Sequence, residues 1–506
     1  MAHWVMHPDE VVVFDANARH LDVSIRDLMQ AAGQALAAET VRLVETSEAP
    51  EHREIWILCG PGNNGGDGFA AALSLHESGH AVRLIASHVT QKGQAAESFR
   101  NACRETPLSI DVWPMVPIES KPRAIIDCLL GAGAGGSAPR GDVSELLEWI
   151  RPYSTSVSVI ACDLPTGFGT NTVLSATSTV TFHAEKIGMR DATGSMISTI
   201  GSLRVAPLPW PDEVLDCGPG DALRYPPLDP DARKGDRGRL LIVGGGPYHG
   251  APILSGDAAA RSGCDLVHVA MPSEARSRAE WPPHLIPESI PDEVSLTIDS
   301  VEHLLGRILS GRGVQAMVIG PGLGRGEGVA KAVERLIEVA VEESVPVVID
   351  ADAISVLPKG RWPAEMTGII TPHSREAEEW IGSEPAAIRD ELDKATDPEG
   401  RVVLLTGSVD RLFGPLGRGA LGTGGHPRMA VGGTGDLLAG ICGGLLAQGM
   451  APWPAARLAS ALLRESGSAA ALERGPGLVA GDVPPHIAST LANWLLFVFY
   501  PLLFLW

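Results

Sequence analysis

Twice along this chain, short runs of aliphatic residues alternate with longer helical stretches, and no other feature constrains the fold as tightly. Runs of this length suit buried strands, and the segments between them are long enough for helices. In the first half the strand-like runs are Ile55 to Cys59, Val82 to Ala86, Ala124 to Asp127 and Val157 to Asp163. Each leads toward a polar or glycine-rich turn or a helix, which predicts an α/β architecture with a parallel sheet covered on both faces. In open parallel sheets ligands collect beyond the carboxyl ends of the strands, so those turns are where chemistry is to be sought.

The alternation lapses between Pro207 and Gly235, where Pro207, Pro209, Pro211, Pro219, Pro226, Pro227 and Pro230 cluster. It resumes with Arg239 to Val243, Leu266 to Ala270, Ala316 to Ile319, Val345 to Asp350, Gly368 to Thr371 and Arg401 to Leu405, with alanine-rich helices such as Ala455 to Leu472 covering the sheet. A chain of 506 residues exceeds one typical core. The expected organisation is a first domain over 1–215, a proline-rich linker over 216–232, a second domain over 233–490 and an apolar tail over 491–506. At about 1.5 Å per residue a helical tail would reach roughly 24 Å, short of a hydrocarbon core of about 30 Å, and Pro501 interrupts it. A packed terminal segment or an oligomer contact is expected rather than a membrane anchor.

With 40 basic against 61 acidic residues the net charge is −21, which repels nucleic acid and anionic membrane at long range. A phosphorylated ligand must then be held by local devices such as helix N-termini, backbone amides and bound cations. The seven cysteines show no C-x-x-C spacing, and most sit inside apolar runs; they read as reduced core residues of a cytoplasmic protein. The start, Met1 to Pro8, lacks a basic region followed by an apolar core, so no secretory signal is expected.

Val431-Gly432-Gly433-Thr434-Gly435-Asp436 leads directly into Leu437-Leu438-Ala439-Gly440-Ile441 and reads as the glycine-rich opening of a buried helix. The first amides of a helix lack internal partners and carry the positive end of its dipole, and glycines let an anion approach them. A carboxylate beside a phosphate is unfavourable unless it has a task, such as drawing a proton from a hydroxyl about to attack phosphorus. That marks Asp436, although the same residues also suit an ordinary capped turn.

After the strand ending at Cys59 comes Gly60-Pro61-Gly62-Asn63-Asn64-Gly65-Gly66-Asp67-Gly68, then a helical run. With Asp127-Cys128-Leu129-Leu130-Gly131 and Asp163-Leu164-Pro165-Thr166-Gly167, in that order, it resembles the NAD(P)H-hydrate epimerase family, also called the YjeF N-terminal domain. The resemblance implies a Rossmann-like three-layer α/β/α domain and a potassium ion held by Asn64, Asp127 and Thr166. All three offer hard oxygen ligands, and Thr166 keeps the hydroxyl of the serine common in relatives. It further implies that the dinucleotide lies among Asn63, Asn64, Gly65, Gly66 and Asp67 and along Gly131, Ala132, Gly133, Ala134, Gly135, Gly136 and Ser137. Asp163 would be the proton-transfer carboxylate. Taken singly, Asp127 and Asp163 serve equally well as caps at strand ends.

Lys234-Gly235-Asp236-Arg237-Gly238, Gly320-Pro321-Gly322-Leu323-Gly324, Asp350-Ala351-Asp352, Thr371-Pro372-His373 and Gly433-Thr434-Gly435-Asp436 also come in one order. Together they resemble the ADP- or ATP-dependent NAD(P)H-hydrate dehydratase family, a branch of the ribokinase-like α/β/α fold. The resemblance implies that the nucleotide phosphorylates the hydroxyl of the hydrated nicotinamide ring and that loss of phosphate restores NADH or NADPH. Asp436 would be the base, Gly322, Gly324 and His373 would line the hydrate side, and Thr406, Gly407, Ser408, Val409, Asp410, Gly432, Gly433, Thr434 and Gly435 the nucleotide side. Magnesium is expected with the nucleotide. His373 alone also reads as a turn histidine bonded to backbone. Many relatives have Lys-Gly where this chain has Thr406-Gly407, so one positive phosphate contact is missing.

The combined expectation is a bifunctional repair enzyme acting on NADHX and NADPHX at the expense of ADP. It is expected to be a cytoplasmic homo-oligomer with no nucleic-acid or membrane partner. The alternatives are a vitamin-precursor kinase of the same fold, which has no use for the first domain, and a nucleotide-binding scaffold with both sites vestigial.

Overall fold

The computed structural model describes residues 5–46, 53–117, 121–134, 137–308, 313–382, 388–394, 397 and 399–499. The chain divides into two compact units, Met1–Val214 and Leu215–Trp506. In the first, the strands are β1 (Val5–Met6), β2 (Ile55–Cys59), β3 (Val82–Ala86), β4 (Ser109–Val112), β5 (Ala124–Cys128), β6 (Ser158–Cys162), β7 (Ser178–Phe182), β8 (Glu185–Lys186) and β9 (Ser202–Ala206). Seven of them form one sheet in the order β4-β3-β2-β5-β6-β7-β9, parallel throughout, while β1 and β8 pair separately. The alternation of side chains along β2 puts Ile55, Ile57 and Cys59 into one core layer and Trp56 and Leu58 into the other. Both faces are therefore buried, as an all-parallel sheet requires.

The second unit holds β10 (Arg239–Val243), β11 (Leu266–Met271), β12 (Leu285–Ser289), β13 (Ala316–Ile319), β14 (Val347–Ile349), β15 (Gly368–Ile370), β16 (Arg401–Leu405), β17 (Asp410–Phe413) and β18 (Gly419–Gly422). They make a nine-stranded sheet, β12-β11-β10-β13-β14-β15-β16-β17-β18, parallel except for the antiparallel pairings of β17 with β16 and β18. The helix Thr434–Ala447 lies against it with small residues at its contacts. A Cβ on Gly443 would stand 2.3 Å from Val318, and one on Gly440 would stand 2.0 Å from the carbonyl of Ser255 in the neighbouring helix Gly250–Arg261. Those close approaches fix where the amino end of the helix points.

Two expected boundaries differ in the structure. Residues expected as a linker are folded into the second unit at Gly218 to Tyr225, where Pro219 opens the 3-10 turn Pro219–Arg224. Proline suits a first helical position because its missing N–H has no partner there anyway. Asp221 is buried in that turn and paired with Arg457 at 2.7 Å and Arg224 at 2.7 Å. The expected tail boundary at 490/491 falls inside the helix Pro484–Phe499, where Leu491, Trp494 and Val498 are buried. Residues 500–506 of the tail lie outside the described residues. Among the described residues no helix is long and apolar enough to cross a membrane, and all seven cysteines are buried and unpaired.

Two candidate active sites at the carboxyl ends of the sheets

In the first unit, the turn after β2 feeds the helix Asn63–Glu77, and the ends of β5 and β6 deliver Asp127 and Asp163 beside it. Asp127 is fully buried. Its carboxylate accepts the Thr166 hydroxyl at 2.7 Å and the amides of Thr166 at 2.8 Å and Leu129 at 3.2 Å. Burial pushes its pKa up to about 6 despite those bonds. Next to it, Gly131 packs on the Asn64 side chain so closely that a Cβ would stand 2.7 Å from Oδ1, and Asn64 Nδ2 is buried without a partner.

A cavity of about 360 Å³ opens here, walled by Asn63, Asn64, Asp67, Gly131, Ala132, Gly133 and Asp163 among others. The other expected residues stand back from it. Gly65 and Gly66 are packed beneath, where a Cβ would strike the Gly60 carbonyl or Met29, and Ser137 is exposed. Ala134 belongs to the 3-10 turn Ala132–Ala134, while Gly135 and Gly136 lie outside the described residues.

Asp163 adopts φ of +64°, and its carboxylate is held on three sides. Oδ2 accepts the Ala132 amide at 3.1 Å, and Oδ1 accepts the Thr181 hydroxyl at 3.0 Å and meets Lys186 Nζ at 3.0 Å. Burial opposes its charge most strongly, but the Lys186 ammonium together with the Ala132 amide and the Thr181 hydroxyl holds the carboxyl below the usual range. Lys186 is itself buried and donates to Thr181 Oγ1 and to the carbonyls of Phe182 and Ala184. Sequence reasoning missed Lys186, and with it three further residues of the cavity wall: Asp15, and the stacked rings of His183 and Trp210, 3.6 Å apart. Only the isolated lysine of Phe182-His183-Ala184-Glu185-Lys186 hinted at it.

In the second unit, the turn after β14 and the start of the helix Thr434–Ala447 bring together three carboxylates, Asp350, Asp352 and Asp436, beside the loops after β13 and β15. Gly433, the residue before that helix, is left-handed at φ +100°, where glycine is at ease. The first backbone bond of the helix runs from the Leu437 amide to the Gly433 carbonyl, so the amides of Thr434, Gly435 and Asp436 have no helical partner. Added Cβ atoms at Gly432 and Gly435 would meet nothing within 4 Å, so the approach is open. The Thr434 hydroxyl is turned inward and donates to the Met429 carbonyl at 2.8 Å, and Ser255 Oγ donates to the Asp436 carbonyl at 2.6 Å.

Burial, then the negative charge of Asp352, raise Asp436 to about 6. Asp350 is pushed well up by burial and by Asp436, even though Thr371 Oγ1 donates to it at 2.8 Å. Asp352 accepts the Gly324 amide at 2.8 Å, which ties the Gly322 to Gly324 loop to this cluster. His373 caps the helix Ser374–Ile381: its Nδ1 accepts the amides of Arg375 at 3.1 Å and Glu376 at 3.3 Å, and its Nε2 stands 3.5 Å from Glu376 Oε1. The backbone-bonded turn histidine is thus present, and a ligand at Nε2 would share it with the Glu376 carboxylate.

Of the residues expected on the nucleotide side, Thr406, Gly407, Ser408 and Val409 form the turn between β16 and β17, with Gly407 to Val409 exposed. Asp410 differs from the expectation of a ligand-facing residue. It is buried, and its carboxylate is occupied by Arg464 at 2.6 and 2.9 Å, by Ser460 Oγ at 2.7 Å and by the Gly407 amide at 3.2 Å. Arg464 also donates to the carbonyls of Gly407, Ser408 and Gly424. The pair braces the turn from beneath, and no local sequence signal joins residues this far apart.

Comparison with known proteins agrees with this division. A family model described as YjeF-related protein N-terminus matches residues 25–188, and one described as NAD(P)H-hydrate dehydratase matches residues 240–492. The ADP/ATP-dependent NAD(P)H-hydrate dehydratase from Bacillus subtilis, co-crystallised with ATP and Mg2+, aligns with 54% of this chain and 96% of its own at 24% identity, with a TM-score of 0.45. The bifunctional NAD(P)H-hydrate repair enzyme Nnr of Hyperthermus butylicus is 34% identical over 96% of this chain and 91% of its own. The protein of the same name from Methanothermobacter thermautotrophicus is 32% identical over 96% and 95%. The chain belongs to the family of bifunctional NAD(P)H-hydrate repair enzymes.

Proposed function

We propose that the first unit interconverts the R and S hydrates of NADH and NADPH, and that the second dehydrates the S form at the expense of ADP or ATP. The observation that carries this reading is Asp436 standing in the first turn of a helix whose leading amides are open to an anion. A carboxylate raised to about 6 is ionised at neutral pH and still basic enough to take a hydroxyl proton. As Asp436 removes that proton, the hydroxyl oxygen attacks the terminal phosphorus, the phosphoanhydride bond breaks so that AMP or ADP leaves with its electrons, and the amides of Thr434 and Gly435 hold the charge that develops on the phosphoryl oxygens. Phosphate then departs with the former hydroxyl oxygen, a far better leaving group than hydroxide.

Gly322, Gly324 and His373 Nε2 are assigned to the hydrate side, and the 406–409 turn with Gly432 and Gly433 to the nucleotide. Among the described residues no three His, Cys, Asp or Glu side chains could together hold a metal. Magnesium therefore fits as a partner of the nucleotide phosphates, its ordinary mode, with Asp350 and Asp352 nearest to assist. In the first unit, a buried carboxylate with no cationic side chain among its perturbers, the Thr166 hydroxyl oxygen and the Asn64 amide oxygen are the hard donors a potassium ion would take. That ion would supply positive charge beneath the dinucleotide. The unpaired thiols support a reducing compartment such as the cytoplasm, and a homo-oligomer remains part of the proposal.

The test supplies purified S-hydrate with ADP or ATP and follows recovery of reduced-nicotinamide absorbance. Asp436→Ala should lower the rate by about a hundredfold or more while R-to-S conversion continues. Undiminished recovery in the variant would remove Asp436 from the chemistry.

A further inference from the structure

We propose that Asp15 and Asp67 act as one proton-donating pair on the ring hydroxyl of the hydrate, with Asp163 and Lys186 as a fixed ion pair opposite. This rests on the epimerase reading of the first unit and names the groups that perform it. Asp15, Asp67, Asp163 and Lys186 all line the same cavity, whose wall also contains two buried, unpartnered nitrogens, Asn64 Nδ2 and His183 Nε2. A closed apolar pocket would not leave such atoms unmatched; a polar ligand satisfies them.

The three carboxylates are not equivalent. Asp163 is locked as an anion by Lys186, Thr181 and the Ala132 amide, so it has little freedom to gain and lose a proton. Asp67 has no cationic partner: the Cys162 thiol stands 3.7 Å from its Oδ2, and burial followed by the charges of Asp15 and Asp163 pushes its pKa well up. Asp15 is raised to about 6 by burial and by Asp163, against an Asn63 hydrogen bond and a small opposing effect of Arg19. Both line one cavity and the charge of Asp15 raises Asp67, so the pair holds one proton at rest and releases it when a cation forms beside it.

The arm that brings Asp15 to the cavity is anchored to the same strand as Lys186. β1 pairs with β8, and the Ile187 amide donates to the Met6 carbonyl at 2.8 Å. Asp15 lies ahead of the 25–188 span matched by the YjeF-related model, so this assignment comes from the cavity alone.

The hydrate carries its hydroxyl on the ring carbon bonded to the ring nitrogen. The C–O bond breaks, and both of its electrons stay with oxygen, which takes the shared proton and leaves as water. The nitrogen lone pair forms the C=N bond of a cyclic iminium cation, and the pair goes from one negative charge to two. Water then adds to the opposite face, its oxygen supplying the new C–O electrons, and one of its protons returns to the pair. No co-reactant is consumed, and the cation forms among carboxylates that stabilise it.

The experiment incubates purified R-hydrate with the full chain, without nucleotide, and separates the epimers chromatographically. Wild type should epimerise; if it does not, the epimerase reading itself falls. Given wild-type turnover, Asp15→Asn and Asp67→Asn should each lower kcat by about a hundredfold or more with KM little changed. The double variant should be no slower than either alone, because the two act as a unit. Melting curves report folding, and Asp15→Glu, which keeps an acid, should retain more activity than Asp15→Asn. Wild-type rates in either asparagine variant, multiplicative losses in the double variant, or equal loss in Asp15→Glu and Asp15→Asn would overturn the pair.

Discussion

Asp410→Ala separates a bracing role from a ligand role on the nucleotide side. The Asp410 and Arg464 side chains are only 7% and 10% exposed, and Arg464 places five hydrogen bonds on Asp410 and three carbonyls. Removing the carboxylate leaves a guanidinium buried without its counter-charge, which typically costs about 3–5 kcal/mol. For a unit of this size, at roughly 2 °C per kcal/mol, melting should fall by about 6–10 °C. Adding Arg464→Met to Asp410→Ala removes the stranded charge and should regain several degrees, since an apolar replacement of a whole buried pair is often close to neutral. Calorimetry of the second transition, with nucleotide affinity by titration, checks this. Affinity should weaken in step with the loosened 407–408 turn and recover in part in the double variant. If Asp410→Ala left melting unchanged while nucleotide binding collapsed, the carboxylate would be touching the nucleotide and the bracing argument would be wrong.

Three further outcomes follow from the same geometry. Dehydration should decline as pH falls through about 6, because protonation removes the basic form of Asp436; Asp352→Asn, which deletes the second cause of that raised value, should move the decline to lower pH in a pH–rate profile. Thr406→Lys should tighten ADP and ATP about fivefold at low salt, an interaction of about 1 kcal/mol at contact in water, with the gain shrinking as salt rises; calorimetric titration at two ionic strengths tests it. Little should be lost in return, because the Thr406 hydroxyl makes only a 3.4 Å contact with the Pro372 carbonyl. Potassium, compared with tetramethylammonium at equal ionic strength, should raise the melting temperature of the first unit, and Asp127→Asn should abolish the difference; an equal response of the variant would place the ion elsewhere.

Where function depends on a local run of residues, the sequence was readable. The helix at Thr434 and the turn at Asn63 announce themselves because amide exposure, glycine and a carboxylate follow one another within a few positions. Of the ten strands expected from aliphatic runs, all form, with ends shifted by a residue or two. The strands that were not anticipated lack that signature for physical reasons. Ser178-Thr179-Val180-Thr181-Phe182 is rich in hydroxyls whose burial is acceptable only because Glu39, Ile200 and Asp163 accept their hydrogen bonds, partners no local window contains. β12 carries Pro287 at a sheet edge, where no ladder donor is required, and β17 with β18 is a hairpin edge. Lys186, Asp15 and Arg464 were illegible for a related reason: each owes its role to a carboxylate brought near by topology.

The two sites meet the same electrostatic difficulty in different ways. In the first unit a buried lysine neutralises one of three carboxylates, so the remaining two can trade a proton without the cluster becoming untenable. In the second, the perturbers of Asp436 and Asp350 are burial and other acids, apart from the Thr371 and backbone hydrogen bonds to Asp350. An exposed counter-charge, Arg325, stands 3.6 Å from Asp352. A bare nucleotide would meet that negative field with little in its favour beyond an exposed arginine and the dipole of one helix, worth at most about 2 kcal/mol. A nucleotide whose phosphates are already neutralised by a divalent cation avoids most of the repulsion. The field that disfavours free anions also keeps the proton affinity of Asp436 high, so the acidic surroundings make the base effective and leave charge neutralisation to the ligand.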